Sequence, residues 1–254
     1  MKYLIELQSQ INQFNKTSPQ RRTFIENYVG GGQSDLNYLG LRIPQVRSVL
    51  KQKLQLFDQN LKKQFQVFEM NWFNSKTFET KALSLFWLEG LEDQQLVQFA
   101  RPLLRWANDI DNWAHSDSLC GVYARIFEKA PQLFLPSYKK WNQHQNPWLR
   151  RISMVGLMYY ARQRERHPSF SLCLQMIESH WADDHYYVQK AVGWTLREMY
   201  NVYPDKTLFL IEKKLECISS VAWVAASEKL PLKYKNKLVQ KRRLSRQLLR
   251  LGKK

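Results

Sequence analysis

The sequence predicts an all-α protein in which antiparallel helix pairs stack into an α-solenoid. Three observations point to this class. Apolar residues recur at spacings of three and four along almost the whole chain. No convincing alternating strand pair and no Asn-Gly or Asp-Gly hairpin turn is found. Prolines divide the second half into helices of about 10 to 18 residues, with breaks expected at Pro131, Pro136, Pro147, Pro168, Pro204 and Pro231.

Five stretches carry the helical spacing most clearly. The first has Pro44 near its start, a common place for proline in a helix, and presents Ile43, Val46, Val49 and Leu50 on one face. The others, in order, present Phe78, Ala82, Leu85 and Phe86 after a Ser75/Thr77 start signal; Leu96, Phe99, Leu103 and Trp106; Ile152, Val155, Gly156 and Tyr159 after Pro147-Trp148; and Val188, Val192, Thr195, Leu196 and Met199. Helix pairs recurring about every 35 to 45 residues would give about six HEAT-like or armadillo-like units. A compact α-bundle stays open, because the units share little sequence.

The chain carries a strong positive charge. Its 254 residues hold 39 Lys and Arg against 22 Asp and Glu, for a formal net charge of +17 and a pI near 9.8. Such a charge attracts phosphate and releases its counterions on binding. A nucleic acid is therefore favoured as partner over a membrane, for which no long apolar segment stands out. A generically basic soluble protein is the alternative.

The expected compartment is the cytoplasm. Residues 1–8 turn polar before a signal-peptide core could form. Cys120, Cys173 and Cys217 are far apart and odd in number, which indicates reduced thiols packed in helices and no disulfide framework.

The C-terminus differs in composition from the rest. Residues 229–254 contain 11 Lys or Arg and no acidic residue, with leucines interspersed. This pattern is typical of a basic amphipathic helix or tail, which could add phosphate contacts or only cap the solenoid. The domain organisation predicted is a repeat domain over 1–232 and a basic C-terminal helix or tail over 233–254.

Trp113 and Asp117 are the strongest candidates for chemistry. Four residues apart on a helix, they project from the same face. An indole can lie against a sugar and stabilise positive charge on it. A neighbouring carboxylate can stabilise an oxocarbenium-like centre or orient water, as in glycosidic-bond cleavage. The alternative is a buried ring beside a helix cap.

Two further motifs could contribute to a site. Arg150 and Arg151 are adjacent, so at most one shares a face with Trp148. One of them could clamp a phosphate, or the pair could be one surface arginine and one structural ion pair. Trp194 follows Gly193, interpreted as a helix-breaking residue that allows close backbone approach. Core packing is the alternative for Trp194.

No metal or cofactor site is indicated. The five histidines show no His/Cys spacing suited to zinc. The glycines at 30–32 lack the Gly-Lys-Ser/Thr of a P-loop, and no Gly-x-Ser-x-Gly elbow occurs. Any catalysis is therefore expected to need no cofactor, and 30–32 is interpreted as a flexible loop between the first helices.

Four ordered segments, between about residues 36 and 224, carry a resemblance to a known family. They are Tyr38-Leu39-Gly40-Leu41-Arg42-Ile43-Pro44-Gln45-Val46-Arg47, the Trp113/Asp117 block, Trp148-Leu149-Arg150-Arg151, and Gln189-Lys190-Ala191-Val192-Gly193-Trp194 followed by Leu196-Arg197-Glu198. Together they resemble the AlkD-type DNA alkylation repair glycosylases, which are built from HEAT-like repeats. The resemblance implies excision of cationic purines, such as 3-methyladenine and 7-methylguanine, from duplex DNA to leave an abasic site. It also implies that the lesion stays stacked while a concave basic groove holds the backbone.

Site residues follow from the resemblance by their position in these motifs. Asp117 matches the catalytic carboxylate, and Trp113 and Trp194 match two sugar-contacting indoles. Arg151 matches the arginine beside the lesion, with Arg150 as the fallback. The residues expected to contact DNA are Tyr28, Tyr186 and Tyr187, which correspond to aromatic residues of the family, together with Trp148, Arg150 and Lys190 in the motifs and Arg242 and Arg243 in the basic C-terminal segment.

The expected function is that of a monofunctional alkylpurine DNA glycosylase acting as a monomer. One departure concerns the first motif, where Ala114 stands at a position that is acidic in some family members and His115 adds an ionisable group. A non-enzymatic binder of damaged, branched or single-stranded nucleic acid is an alternative that uses the same basic and aromatic residues. A protein-docking scaffold is a third.

Overall fold

The computed structural model describes residues 2–13, 18–30, 34–55 and 59–251. These residues form fifteen α-helices, two short 3-10 helices and one isolated bridge between Asn37 and Thr77, with no strand among them. The predicted all-α class is confirmed. No helix in these ranges is both long enough and apolar enough to cross a membrane. Glycines 31 and 32 lie outside the described residues, so the loop expected there stays a prediction.

The chain divides into two compact units, Met1–Lys129 and Ala130–Lys254. Unit 1 contains α1 (Lys2–Gln13), α2 (Pro19–Gly30), α3 (Ile43–Leu54), α4 (Leu61–Asn74), α5 (Phe78–Glu89), α6 (Asp93–Gln98), α7 (Ala100–Leu103), a 3-10 helix (Leu104–Asp109) and α8 (Trp113–Lys129). Helix α5 is its centre, because every residue from 78 to 88 is buried and α3, α4 and α8 pack around it. The division after Lys129 has no counterpart in the sequence-based prediction.

One buried carboxylate in α5 organises the first family-like motif. Glu79 accepts hydrogen bonds from the N–H groups of Leu39, Gly40 and Leu41, at 3.0, 2.7 and 3.1 Å. Gly40 has φ 77°, a left-handed conformation that glycine adopts without strain. Its carbonyl in turn accepts a 2.6 Å hydrogen bond from Arg21 Nε, which ties α2 to this turn. The motif therefore fixes the helix that carries Tyr28.

Unit 2 is built around one long helix. It contains α9 (Pro131–Asn142), α10 (Pro147–Met158), a 3-10 helix (Ala161–Gln163), α11 (Phe170–Glu178), α12 (Tyr186–Val202), α13 (Pro204–Lys213), α14 (Ser220–Ala226) and α15 (Leu232–Leu251). Helices α10, α11, α13 and α14 all pack against α12. Contacts with these four helices thus fix the position of α12 and of the side chains that it carries.

Prolines mark several helix starts, and two predicted breaks are corrected. Pro131, Pro147 and Pro204 lie in the first turns of α9, α10 and α13, where a missing N–H leaves no intrahelical bond unmade. Pro136, however, lies inside α9 and does not end it. Gly193 likewise lies inside α12, which runs through it without a break.

The stretch from Leu96 to Trp106 is helical but interrupted, and it buries Leu96, Phe99, Leu103 and Trp106 as the apolar spacing predicts. Helix α6 ends at Gln98, Phe99 has φ −102° and ψ 9°, and α7 gives way to the 3-10 helix. Pro102 supplies the physical reason, because its ring would clash with the carbonyl four residues earlier in a continuous α-helix.

The basic C-terminal segment forms α15 within unit 2. Leu238 and Arg242, one turn apart, point inward: Leu238 is fully buried and Arg242 is 6% exposed. Arg242 Nη1 donates to the Leu215 carbonyl at 2.7 Å, and its guanidinium lies 4.9 Å from the centre of the Trp223 ring. Arg242 therefore packs within unit 2, whereas Arg243 is exposed, and a DNA contact by either residue stays a prediction.

Candidate functional site

The first indole is held in a fixed orientation within unit 1. Trp113 begins α8, and its Nε1–H donates to the main-chain carbonyl of Tyr28 at 2.7 Å. The Tyr28 ring meets the indole edge to face at 5.4 Å, and Phe24 stacks on Tyr28 at 6.0 Å. Tyr28 is 61% exposed, so this group presents aromatic surface to solvent. The structure thus brings together two of the expected site residues, Tyr28 and Trp113.

Asp117 lies one turn after Trp113 on the same face of α8. Both residues are partly exposed. His115 and Ser116 are buried, as are Leu119 and Cys120 one turn later. The helix start is capped by Asn112, whose side-chain oxygen accepts the His115 N–H at 2.9 Å. The cap role considered for Asp117 therefore belongs to another residue. We refer to Phe24, Tyr28, Trp113 and Asp117 as the α8 cluster.

His115 is a core residue and not part of the α8 cluster. Its ring stacks on Phe78 at 4.3 Å, its Nε2 lies 3.1 Å from the Phe78 carbonyl, and its Nδ1 lies 3.0 Å from Asn112 Nδ2. These contacts fit a neutral ring that donates from Nε2 and accepts at Nδ1. Burial first, and then the nearby charge of Lys81, lowers the pKa of His115 from 6.5 to about 3. The ring therefore stays uncharged at neutral pH.

Acid should destabilise the protein through His115. Below pH 6.5 the unfolded chain binds a proton that the folded chain does not, so the free energy of unfolding falls as pH falls, by about 1.4 kcal/mol per pH unit for one such group. We expect a loss of about 2 kcal/mol from His115 between pH 7 and pH 5. Urea denaturation at both pH values should show a shallower dependence for His115→Gln. The matched control is His167→Gln, which replaces an exposed histidine; an equal change in slope for both variants would contradict the assignment.

Ala114 also has a structural explanation. It packs against a small apolar cluster formed by Val29, Leu36, Tyr38 and Phe78. A carboxylate at this position would be pressed against apolar side chains, at a desolvation cost. The departure from the family pattern therefore follows from local packing.

The second indole lies on α12 in unit 2. Trp194 is partly exposed and contacts two tyrosines, stacking on Tyr159 with ring centres 5.7 Å apart and meeting Tyr160 edge-on at 6.1 Å. The Arg197 guanidinium is 5.2 Å from the centre of its ring. Gly193 brings α12 against α14 so closely that a Cβ there would lie 2.1 Å from the Ala222 carbonyl oxygen. Close backbone approach at Gly193, expected from the sequence, is confirmed.

The two adjacent arginines have different environments. Arg150 forms a bidentate ion pair with Asp183, with Nε 2.8 Å from Oδ2 and Nη2 3.2 Å from Oδ1. Its Nη1 donates to the carbonyls of His144 and Gln145. Burial raises the pKa of Asp183, but hydrogen bonds from Arg150 and the His185 N–H outweigh it, so the pKa lies below its usual value. Arg150 is thus the structural ion pair, and a DNA contact by Arg150 stays a prediction.

Arg151 is 5% exposed, and its Nη1 donates to the Tyr187 carbonyl at 3.0 Å. This hydrogen bond reaches the first turn of α12, the helix that carries Trp194. The structure gives Arg151 a role in holding that helix start. A phosphate contact by Arg151 stays a prediction.

The start of α12 carries the exposed candidates of unit 2. Tyr186 is exposed, meets Tyr187 edge-on at 5.1 Å, and has the Lys190 ammonium 5.9 Å from its ring centre. Trp148, by contrast, is 8% exposed and packs on Tyr187 at 4.9 Å and on His185 at 6.1 Å. Trp148 thus supports Tyr187, and a DNA contact by Trp148 stays a prediction.

Several residues of these groups were missed from the sequence. Phe24 lies one helical turn before Tyr28, and Arg197 lies three residues after Trp194, so helical spacing could have found both. Tyr159 and Tyr160 follow the end of α10, and their contact with Trp194 depends on how α10 packs against α12. No spacing rule gives that contact.

Comparisons with known proteins agree with this description. The family model described as DNA alkylation repair enzyme matches residues 8–230. A structure titled as a predicted DNA alkylation repair enzyme from Enterococcus faecalis is 14% identical, with TM-score 0.64, over 85% of this chain and 97% of that one. The crystal structure of AlkD2 from Streptococcus mutans is 18% identical, with TM-score 0.50, over 75% of this chain and 91% of that one. No curated protein matches significantly.

These structures confirm the helical-repeat fold of the AlkD type, while the number of units stays a prediction. The family match spans most of the chain, including all four motifs singled out from the sequence. The chain belongs to the DNA alkylation repair enzyme family.

Proposed function

We propose that the protein is a monofunctional DNA glycosylase that hydrolyses the N-glycosidic bond of cationic alkylpurines, such as 3-methyladenine and 7-methylguanine, in duplex DNA. One copy of the chain acts on one lesion, and the product is an abasic site. Membership of a DNA alkylation repair enzyme family supports a role in DNA alkylation repair. The residues of the α8 cluster support the glycosylase reaction in particular.

The arrangement of Trp113 and Asp117 carries the proposal. A partly exposed carboxylate lies one turn from a partly exposed indole whose ring is fixed by the Tyr28 carbonyl. A fixed indole presents its electron-rich face to a sugar without first losing side-chain freedom. The carboxylate beside it supplies negative charge where positive charge develops on C1′.

The proposed reaction needs little acid catalysis. An N3- or N7-alkylated purine already carries a positive charge, so the electron pair of the breaking bond neutralises it as it leaves. The sugar becomes an oxocarbenium ion, which Asp117 stabilises. Water then adds to C1′ and loses a proton, with Asp117 placed to orient it. Because the base leaves without being protonated by the enzyme, the lesion need not be flipped into a pocket.

Unit 2 supplies further contacts under this proposal. Trp194 keeps the role of the second sugar-contacting indole, and Arg151 that of the residue beside the lesion. Tyr186, Tyr187 and Lys190 at the start of α12, together with exposed Arg243 on α15, are proposed as backbone contacts. Lys190 and Arg243 add affinity that falls with salt and carries no sequence preference.

The test is release of free base. Duplex DNA methylated at purines is incubated with the protein, and the supernatant is analysed by mass spectrometry for 3-methyladenine and 7-methylguanine. Time-dependent release above the no-protein control is expected. A protein that binds the duplex but releases no base would instead be the non-enzymatic binder, since salt-dependent binding is common to both.

A further inference from the structure

A second feature adjoins Trp194 in unit 2. A pocket of about 440 Å³ opens where α10 ends, lined by Tyr160, Gln163 and Asn201, by the cations Arg162, Arg197 and Lys229, and by the carboxylates of Glu198 and Glu228. Two of these residues, Tyr160 and Arg197, also contact the Trp194 ring. The pocket therefore borders the second indole directly. Its volume lies in the range of small-molecule sites.

Tyr160 forms the aromatic wall in an unusual conformation. It has φ 40° and ψ 48°, a left-handed conformation otherwise suited to glycine. The ring is 49% exposed and is set edge-on against both Tyr159 and Trp194. One face of an aromatic side chain at a pocket wall is a stacking surface for a planar ring.

The polar wall carries three cationic and two acidic side chains. Glu198 is buried and accepts hydrogen bonds from Arg197 Nε at 3.2 Å and Asn201 Nδ2 at 3.4 Å. Arg197 Nη1 also donates to Glu228 at 2.9 Å, and Lys229 Nζ lies 3.0 Å from the same carboxylate. Both carboxylates are therefore already paired within the wall. A neutral ring with donors and acceptors on its edge suits this wall, with the Gln163 amide adding one group of each kind.

We propose that this pocket takes one unstacked nucleobase of the bound DNA, stacked on Tyr160 with its polar edge toward Gln163 and Asn201. The inference rests on the DNA binding contained in the proposed function. It concerns a base displaced from the duplex next to the site and is compatible with a lesion that stays stacked, because the two bases are different ones.

The test compares two duplexes that differ by one bulged nucleotide. The ratio of their dissociation constants cancels the backbone contacts that both share. We expect the wild type to prefer the bulged duplex by about tenfold or more, the scale of one base–aromatic stack. Tyr160→Gly should bring the ratio close to one, whereas Tyr160→Phe, which keeps the ring, should retain it. Absence of the preference in the wild type, or an unchanged ratio in Tyr160→Gly, overturns the proposal.

The choice of glycine separates binding from folding. Glycine adopts the left-handed conformation without strain, so Tyr160→Gly removes the ring while relieving the backbone. Gln163→Ala, which changes only the polar wall, should also lower the ratio, and no reduction there would contradict the assigned edge contact. Phe209→Ala, which removes an exposed ring on α13, is the matched control and should leave the ratio unchanged.

Base release is measured separately on the same preparations. If the wild type releases no methylated purine but prefers the bulged duplex through Tyr160, the pocket assignment holds and the glycosylase proposal fails. If the wild type releases methylated purine but shows no preference for the bulged duplex, the glycosylase proposal holds and the pocket assignment fails.

Discussion

Asp117→Asn should lower the rate of 7-methylguanine release by about 100- to 1,000-fold, the effect of removing one group that stabilises transition-state charge. The substitution keeps the size and shape of the side chain and removes only its negative charge. Because Asp117 is partly exposed on α8, we expect the variant to keep its fold, which circular dichroism will check. The rate is measured under single-turnover conditions with protein in excess of methylated duplex.

DNA binding by Asp117→Asn should not fall with the rate of base release. Affinity for undamaged duplex should be retained or slightly increased, because the net charge rises by one. Asp205→Asn makes the same charge change at an exposed position at the start of α13 and should leave base release at the wild-type rate. Full-rate release by Asp117→Asn, or an equal loss in Asp205→Asn, would remove Asp117 from the mechanism.

Gly193→Ala should destabilise the protein by about 2 to 3 kcal/mol, the usual cost of overpacking a tight contact. In an open helix the change would gain about 1 kcal/mol from helix propensity. Here the added Cβ would lie 2.1 Å from the Ala222 carbonyl oxygen, a main-chain atom that moves only if α14 moves away from α12. Urea denaturation will measure the loss, and base release should fall as well, since Trp194 is the next residue on α12.

Gly90→Ala is the matched control. Gly90 follows α5, has φ −80°, and offers an added Cβ no atom nearer than 3.4 Å. Its substitution should change stability by less than about 0.5 kcal/mol. A Gly193→Ala variant as stable as this control would show that α12 and α14 are not held together as described.

Local sequence predicted many of the helices and the shared face of Trp113 and Asp117 in the α8 cluster. Helical spacing alone places Trp113 and Asp117 on one face, and prolines at first-turn positions mark α9, α10 and α13. The fold class follows from these patterns because each depends only on neighbours within one or two turns. Close backbone approach at Gly193 was also expected from its being a glycine, although the helix break expected at the same residue does not occur.

Burial of charged and aromatic side chains could not be predicted in the same way. Arg150 and Arg151 are neighbours of one residue type, yet Asp183, 33 residues away in sequence, decides that Arg150 is a structural ion pair. Arg242 is buried because the Leu215 carbonyl and Trp223 ring satisfy it. Trp148 is covered by Tyr187 and His185. Each outcome depends on a tertiary contact that spacing along the chain does not encode.

The hydrogen bond between Trp113 and Tyr28 uses a main-chain acceptor. A carbonyl is present whatever side chain occupies position 28, so evolutionary drift at that position can alter the exposed aromatic surface without releasing the indole. Substrate preference and ring alignment are thereby separable traits, and lineages can diversify the one while inheriting the other unchanged.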